Sequence, residues 1–356
     1  MEHSINDDEE LLTAVKLLSP GTPLRDGVNL ILQGGLGSLI VLSDLPEVLA
    51  LTKGGFHLDC EYTPMRLFEL AKMDGAIIIS EDLKRIVCAN ANLVPDYEYS
   101  SEETGIRHQT GERFSKQTNK IVVTISERRK TLHLYANNQK YMFRSVPILI
   151  SSANQTMLAL ERHIKSLIVA IQKLHLGEIR ENVSLVDVIT AIQYSEMARR
   201  TKVELDRHRI ELGNEVVSLH LNSPEQEKVI ENGFLVIRDY YKSDKRTEED
   251  VLKRLQKLDD QALLNGGNIS LAMGFPRDIN SYIDAIAPRG YRILSMIPRL
   301  SSAIIKNLVE SLGAFSAIRD ASTDSLKDIK GIGEIRAQLI NKEILRIIYM
   351  AEKWST

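Results

Sequence analysis

The sequence has few cysteines and no long apolar run, and both shortages exclude whole classes of protein. Among its 356 residues only Cys60 and Cys88 are cysteines, too few for a disulfide framework and in keeping with a reducing compartment. Apolar runs such as Ala76–Ile79 are far too short to cross a bilayer. Met1–Glu10 is acidic and polar, without the basic start and apolar segment of a secretory signal. We therefore expect a cytoplasmic protein that does not span a membrane.

A strong net charge is also absent, and so is the commonest phosphate-binding loop. The formal net charge is -3, which gives no general attraction to nucleic acid or to a membrane, so any site for a polyanion must be local. The chain has no Gly-x-x-x-x-Gly-Lys-Ser/Thr loop, which argues against a P-loop nucleotide hydrolase. A hydrophobic fraction of 43% is ordinary for globular proteins. The length allows two or three domains.

The first part of the chain alternates between helical and strand patterns. Two helices are predicted to begin after the capping residues Thr22 and Thr63, and Gly34-Gly35-Leu36-Gly37 is interpreted as the end of the first one. A third helix is predicted over Gly105–Thr118, with its first amide groups facing outward. The segments with strand patterns are Ser38–Leu42, Ala76–Ser80, Ile86–Ala91, Ile121–Ser126, Thr131–Ala136 and Gln139–Phe143. This alternation predicts an α/β domain, 1–146, in which helices flank a mixed sheet.

Beyond Pro147 the apolar residues recur with helical periodicity and few turn residues intervene. We interpret 147–286 as an all-helical spine. Three turn signals are predicted to break it, at Asn222-Ser223-Pro224, Gly266-Gly267 and Gly274-Phe275-Pro276.

The C-terminal segment, 287–356, contains two similar short units between helical stretches. They are Ile297-Pro298-Arg299-Leu300 and Ile329-Lys330-Gly331-Ile332-Gly333. Such hairpins expose backbone N–H groups at a helix N-terminus, where phosphate binds. The pattern predicts a tandem helix-hairpin-helix domain whose candidate DNA-binding residues are Ile297, Arg299, Lys330, Gly331, Ile332, Gly333 and Arg336. A plain helical cap is the alternative, because Pro298 replaces glycines and Glu334 brings a negative charge.

One turn near the middle of the α/β domain carries a carboxylate. Asp74-Gly75-Ala76 lies between a helix predicted to end at Met73 and a buried strand, so the carboxylate is expected at a sheet edge rather than in a solvated loop. That position suits a divalent metal ion or the activation of a hydroxyl group. A simple Asp-Gly turn is the alternative interpretation.

Two further turns are rich in groups that donate hydrogen bonds to anions. Arg107, His108 and Thr110 lie at a predicted helix start, and the turn that follows Ile121–Ser126 supplies a hydroxyl and guanidinium groups. The donors of that turn are Ser126, Arg128 and Arg129. Individually these residues also suit surface cations or ordinary polar contacts. Together with Asp74 they indicate a site for a nucleoside triphosphate and a metal ion.

Four segments in sequence order resemble the DNA-integrity-scanning diadenylate cyclases. They are Lys72-Met73-Asp74-Gly75-Ala76, Asn92-Leu93-Val94-Pro95-Asp96, Glu103-Thr104-Gly105-Ile106-Arg107-His108 and Glu112-Arg113. With the helical spine and the hairpins, the resemblance covers nearly the whole chain. It implies condensation of two ATP molecules into cyclic di-AMP with Mg²⁺ or Mn²⁺ as cofactor. It also implies binding of branched or damaged DNA, assembly into a homo-octamer and association with the nucleoid.

The resemblance also assigns roles to residues. Asp74 would hold the metal ion and help to activate the 3′-hydroxyl, Gly75 would let the backbone approach the nucleotide, and Leu93 would contact the adenine. The residues that would line the phosphates are Arg107, His108, Thr110, Ser126, Arg128 and Arg129. Asp74, Gly75, Arg107 and His108 form the candidate catalytic set.

At three positions the chain departs from the residues expected for that family. Ile106 stands in place of a residue with a hydroxyl group, and Gln109 and Glu127 stand in place of cationic residues. Losing one charge-assisted phosphate contact costs roughly 1.5 to 3 kcal/mol. The second hypothesis is therefore a DNA-binding scaffold whose α/β domain binds a nucleotide without turning it over. The presence of Asp74 and Arg107 favours the enzyme.

Overall fold

The computed structural model describes residues 2–213, 224–279 and 286–353. The chain packs as two units. The first comprises Met1–Gln155 with Glu204–Leu221, and the second comprises Thr156–Val203 with Asn222–Thr356. The predicted third domain, 287–356, thus belongs to the second unit instead of forming a unit of its own.

A sheet with helices on both faces forms most of the first unit. Its helices are α1 (Glu2–Leu17), α2 (Pro23–Gln33), α3 (Pro46–Ala50), α4 (Pro64–Leu70) and α5 (Ile106–Thr118). Its strands are β1 (Ser38–Leu42), β2 (Thr52–Lys53), β3 (Phe56–Glu61), β4 (Ala76–Ile79), β5 (Arg85–Leu93), β6 (Val122–Ser126), β7 (Thr131–Ala136) and β8 (Gln139–Phe143). The predicted α/β class is confirmed.

The sheet is mixed, as predicted, with strand order β2-β5-β4-β1-β6-β7-β8 and with β3 paired to β5. Strands β1 and β4 are parallel, whereas the other recorded pairs are antiparallel. Alternate residues of β1 enter two different cores, since Ile40 packs in the cluster with α1, α2 and α4, and Leu39 packs in the cluster with Phe114 of α5. The central strands are therefore buried on both faces, which explains their continuous apolar runs.

Most predicted boundaries in this unit agree with the structure, and two strands were missed. The hydroxyl groups of Thr22 and Thr63 accept hydrogen bonds from backbone N–H groups of α2 and α4, as capping residues do. The sequence pattern did not indicate β2 and β3. Almost all side chains of β3 are exposed, so this strand has no apolar alternation to detect.

The described elements of the second unit are all helices. They are the greater part of α6 (Val146–Ile179), the first part of α7 (Leu185–Leu212), and α8 (Pro224–Tyr240), α9 (Glu248–Lys257), α10 (Asp260–Leu264) and α11 (Gly266–Met273). The predicted breaks at Gly266 and Gly274 are confirmed, because α11 begins at the first and ends before the second, whose φ is 92°. The predicted break at Asn222-Ser223 lies outside the described residues.

Five further helices complete the unit, and they pack around a separate apolar cluster. They are α12 (Tyr291–Ser295), α13 (Ser302–Leu312), α14 (Phe315–Arg319), α15 (Thr323–Lys327) and α16 (Glu334–Lys353). The two predicted hairpins are the α12–α13 and α15–α16 connections. In the described ranges no helix is both long enough and apolar enough for a membrane span.

Candidate nucleotide site and C-terminal hairpins

The donor-rich residues meet at one end of the sheet, where α5 begins and β6 turns into β7. A cavity of about 290 Å³ lies there, and a wider groove of about 670 Å³ adjoins it. His108, Ser126 and Arg128 line both, Arg129 lines the smaller cavity, and Arg107 lines the groove. The structure thus brings together five of the predicted site residues.

Helix α5 presents its N-terminus to this cavity. Gly105 is the N-cap, with extended backbone angles and no side-chain capping bond, and it lines the cavity and the groove. The first amides of a helix have no intrahelical acceptor and carry partial positive charge. The end of α5 can therefore receive an anion through backbone groups.

The β6–β7 turn places three cations beside that helix end. Arg128, Arg129 and Lys130 are exposed, and in the part of the chain that the structure describes none of them forms an ion pair. The turn is held by a hydrogen bond of 3.2 Å from the backbone N–H of Arg129 to Oγ of Ser126. Cations without a protein counter-ion favour an anionic ligand.

Arg107 occupies a gap that a glycine leaves open. A Cβ at Gly37 would lie 2.0 Å from Nη1 of Arg107, so the guanidinium packs directly over the start of β1. Nη2 of the same guanidinium lies 3.7 Å from Oδ1 of Asp74. The sequence analysis assigned Gly37 only to a turn. Its second role could have been suspected because Gly34-Gly35 are sufficient to end α2, which leaves Gly37 without a function in that turn.

Asp74 and Gly75 differ from their predicted settings. Helix α4 ends at Leu70, and the chain then turns, which leaves the Asp74 side chain fully exposed. The expectation that this carboxylate avoids a solvated position is therefore wrong. Gly75 has a φ of 94°, and a Cβ there would lie 2.8 Å from the backbone of Asn90. The close approach of the neighbouring strand β5 is therefore sufficient to explain a glycine at this position, without a role in nucleotide binding.

Leu93 and Thr110 lie apart from the cavity and the groove. Leu93 exposes 6% of its surface and packs in the core beneath the sheet. Thr110 is half-buried one turn into α5. A contact of Leu93 with adenine stays a prediction.

Glu103 is a central residue that sequence reasoning did not assign. Its carboxylate accepts a hydrogen bond of 2.9 Å from the hydroxyl of Tyr135 and pairs with Lys140. Burial acts to raise the pKa of Glu103, but the hydrogen bonds from Lys140 and Tyr135 outweigh it and lower that pKa. Gln109 donates a hydrogen bond of 2.7 Å to the backbone carbonyl of Glu103. The loop before α5 is therefore tied to both the sheet and the helix.

Two histidine rings line the smaller cavity, called the inner cavity from here on, next to this carboxylate. The ring centroids of His108 and His133 lie 5.0 Å apart, edge to face. Burial is the largest cause that lowers the pKa of His108, and Arg107 adds to it against the opposing charge of Glu103. The pKa of His133 is lowered to about 4, chiefly by burial and next by His108. Both rings are therefore neutral near pH 7.

Two family models together match residues 17–140 and 143–282, and the hairpin segment beyond them is matched by neither. Residues 17–140 match "DisA bacterial checkpoint controller nucleotide-binding", and residues 143–282 match "DisA bacterial checkpoint controller linker region". The DNA integrity scanning protein DisA of Clostridium botulinum (strain Loch Maree / Type A3) is 40% identical over 344 residues, which cover 96% of this chain and 97% of that one. The chain belongs to the DisA family.

A second relative agrees with this assignment. The DNA integrity scanning protein DisA of Acetivibrio thermocellus is 40% identical over 343 residues, 96% of this chain and 95% of the relative. The cavity described above lies within the part that matches the DisA nucleotide-binding model. This DisA-family chain therefore carries a nucleotide-binding domain followed by the family's linker region.

The described residues of this DisA-family chain contain no preformed metal cage. Among the described residues, no group of three or more His, Cys, Asp or Glu side chains is placed to hold a metal ion. Mg²⁺ is commonly held by one or two carboxylates together with substrate phosphates and water. The exposed carboxylate of Asp74, beside the cationic groove, fits that kind of shared site.

The two C-terminal hairpins have equivalent backbones. The N–H of Leu300 bonds to the carbonyl of Ile297 at 3.4 Å, and the N–H of Ile332 bonds to that of Ile329 at 3.0 Å. Each hairpin contains a residue with left-handed backbone angles, which is Gly331 in the second, with a φ of 90°. The residue at that position of the first hairpin is Arg299, with a φ of 64°. The two connections therefore share their local backbone geometry, and the tandem helix-hairpin-helix domain stays a prediction.

The hairpins differ in what they expose. Ile297 and Ile332 are buried in the core of the module, and their backbone N–H groups bond to the carbonyls of Leu294 and Ile329. Arg299 and Arg336 line a groove of about 490 Å³ that also includes Gly333.

The other two predicted DNA-binding positions of the second hairpin, Lys330 and Gly331, are exposed. Glu334, whose charge favours the plain helical cap, is paired with Lys327 at 2.6 Å. Its charge near the second hairpin is therefore partly compensated.

The glycine beneath Arg107 supplies a test of the site. In Gly37→Ala the new methyl group must displace the flexible guanidinium of Arg107, and it would lie 3.2 Å from the backbone carbonyl oxygen of Ile125. We expect ATP affinity to fall roughly tenfold to hundredfold, because one charge-assisted phosphate contact contributes roughly 1.5 to 3 kcal/mol. Isothermal titration calorimetry with ATP and Mg²⁺ measures this effect.

A double-mutant cycle supplies the control. If Gly37→Ala acts through Arg107, it has no further effect on ATP affinity in an Arg107→Ala background. Additive losses in the double variant would show that the glycine acts independently of the arginine.

Proposed function

We propose that this chain is a diadenylate cyclase that condenses two ATP molecules into cyclic di-AMP and two pyrophosphates. We further propose that its C-terminal hairpins bind branched or damaged DNA. The observation that carries the first part is the convergence of Arg107, His108, Arg128 and Arg129 with the N-terminus of α5. That convergence lies in the nucleotide-binding domain of a DisA-family chain.

The arrangement suits transfer of a nucleotidyl group because charge stabilisation dominates that chemistry. Arg107 would neutralise the phosphate nearest Asp74, since its guanidinium lies between Gly37 and that carboxylate. Arg128 and Arg129 would hold the outer phosphates and the departing pyrophosphate. The amides of α5 add fixed dipoles that need no reorganisation.

Asp74 would hold Mg²⁺ or Mn²⁺ together with substrate phosphates. A bound divalent cation there supplies charge neutralisation and increases the acidity of a coordinated hydroxyl group. The carboxylate itself would orient the 3′-hydroxyl that attacks the α-phosphate. Its full exposure leaves it open to the nucleotide of a second chain.

A cyclic dinucleotide needs two nucleotides, each attacking the other. We propose that two copies of the α/β domain face one another, each presenting one ATP, within a homo-octamer. The phosphate-binding groups described above form one continuous region per chain, which suits one triphosphate. Association of the hairpins with DNA would place the assembly at the nucleoid.

A catalytically inactive scaffold is the second candidate. Gln109 donates its amide N–H to the carbonyl of Glu103, so this donor is not directed at a phosphate. Ile106 is 85% exposed at the edge of the groove and offers an apolar side chain where a hydroxyl was expected. Turnover separates the two candidates, because the scaffold binds ATP and forms no product.

Turnover of ATP tests the cyclase directly. The purified chain with ATP and Mg²⁺ or Mn²⁺ is expected to produce cyclic di-AMP, identified by mass spectrometry. Asp74→Asn is expected to lose product formation at least about a hundredfold, because the neutral amide neither holds the metal ion nor accepts the hydroxyl proton.

The matched control is Asp59→Asn. Asp59 is an exposed carboxylate of the same unit with a φ of 44°, a conformation that asparagine also adopts. It pairs with Arg85 on the sheet edge and lines neither cavity. ATP binding without product in the parent chain would favour the scaffold.

A second variant tests the hairpins. A Cβ on Gly333 would meet no other atom within 4 Å, so Gly333→Leu keeps the fold and covers the neighbouring amides. We expect DNA affinity to fall to a similar extent for every DNA sequence, because contacts from the backbone to phosphate do not read bases. Fluorescence anisotropy with branched DNA of two unrelated sequences measures the loss.

Two lysine variants test whether the hairpin contributes to the salt dependence of DNA affinity. Lys330→Ala is expected to lower the slope of log affinity against log salt by about one. Lys253→Ala, an exposed lysine of α9, is expected to leave the slope unchanged. Unchanged affinity in Gly333→Leu, or a strong dependence on DNA sequence, would contradict the proposed contact.

A further inference from the structure

His133 is a buried residue of the nucleotide site that no motif includes. It is 5% exposed, lies in the middle of β7 and lines the inner cavity. Within the described ranges, neither Nδ1 nor Nε2 of its ring has a hydrogen-bond partner. A buried polar group without a partner is unfavourable for stability, and native proteins keep such groups rarely. A ligand that supplies the missing partner accounts for it.

The surroundings of His133 are mainly cationic. The titratable and charged groups that face its ring are Glu103 from the loop before α5, His108 from α5, Arg129 from the β6–β7 turn, Lys140 from β8, and Tyr135 from its own strand. Glu103 is the one carboxylate among them, and it is already engaged by Lys140 and Tyr135. Its nearer oxygen lies 3.8 Å from Nδ1 of His133, beyond a hydrogen bond.

We propose that His133 takes up a proton when the polyphosphate of a nucleotide enters the inner cavity, and that it then donates an N–H group to a phosphate oxygen. The proposal rests on the polyphosphate site of the proposed function. It makes His133 a binding residue for the pyrophosphate part of the substrate and of the product.

Charge explains why the proton arrives with the ligand. In the chain alone, burial and the neighbouring His108 and Lys140 lower the pKa of His133 to about 4, so the ring is neutral at pH 7. A polyphosphate brings negative charge into a cavity of low dielectric constant and raises that pKa. A group whose pKa is higher in the complex takes up a proton on binding. Affinity therefore rises as the pH falls through the pKa of the complex.

Two substitutions separate the proton from the hydrogen bond. His133→Asn keeps an N–H donor and cannot gain a proton, whereas His133→Val has no hydrogen-bond donor, cannot gain a proton and suits a strand. His57→Asn is the matched control, because His57 is exposed on β3 and bonds the carbonyl of Val87 outside both cavities. Thermal unfolding establishes that each variant is folded.

The experiment is calorimetric titration of the full-length chain with Mg²⁺ and pyrophosphate at pH 6, 7 and 8. Buffers with different ionisation enthalpies report the number of protons taken up. A full proton changes affinity by up to about tenfold per pH unit. We expect the parent chain and His57→Asn to take up a fraction of a proton that is missing in both His133 variants. Comparison with His133→Asn removes the contribution of pyrophosphate's own titration.

The size of the affinity change distinguishes the two roles of the ring. At pH 8 we expect His133→Asn to bind pyrophosphate within about threefold of the parent chain, and His133→Val to bind roughly tenfold more weakly, since one hydrogen bond to a charged group is lost. The proposal is overturned if His133→Asn keeps the proton uptake of the parent chain. It is equally overturned if the parent chain does not bind pyrophosphate.

Turnover distinguishes this proposal from the cyclase. A chain that takes up a proton through His133 and forms no cyclic di-AMP would refute the cyclase and support the role of His133. A chain that forms cyclic di-AMP with an unaltered proton count in His133→Asn would refute the role of His133 alone.

Discussion

One largely buried carboxylate, that of Glu103, connects the parts of the nucleotide site. It joins the loop before α5 to β7 and β8 through Tyr135 and Lys140, while Gln109 of α5 holds the backbone of the same residue. The start of α5 is therefore fixed against the sheet, and with it the positions of Arg107 and His108. Ionised groups that accept several hydrogen bonds hold their neighbours in defined geometry.

Around that fixed point the site keeps an excess of positive charge. The β6–β7 turn contributes cations that have no protein counter-ion among the described residues, and the amides of α5 point to the same cavity. Such charge destabilises the free chain slightly through mutual repulsion and attracts a polyanion. A chain whose net charge is only -3 can in this way bind phosphate at one place and avoid unspecific binding elsewhere.

The second unit relies on a comparable buried acid. Asp239 of α8 accepts hydrogen bonds from the backbone N–H groups of Gly290, Tyr291 and Arg292, at 2.6 to 3.0 Å. The first helix of the hairpin module is thus capped by a side chain of the helical spine. This contact explains why 287–353 packs with the spine helices, and it makes the hairpins an integral part of that unit.

The sequence by itself determined the elements and the chemistry of the chain: the α/β class, six strands, the capped helices, the two hairpins and the cationic turns, all of which depend on local patterns. It did not reveal β3, whose side chains are exposed, or the place of Gly37 beneath Arg107. Only the tertiary structure decided that Glu103 and His133 belong to the site. Helix α5 and strand β6 lie between these two residues in the sequence. Their proximity results from the contacts of the loop before α5 with β7 and β8, which no local pattern encodes.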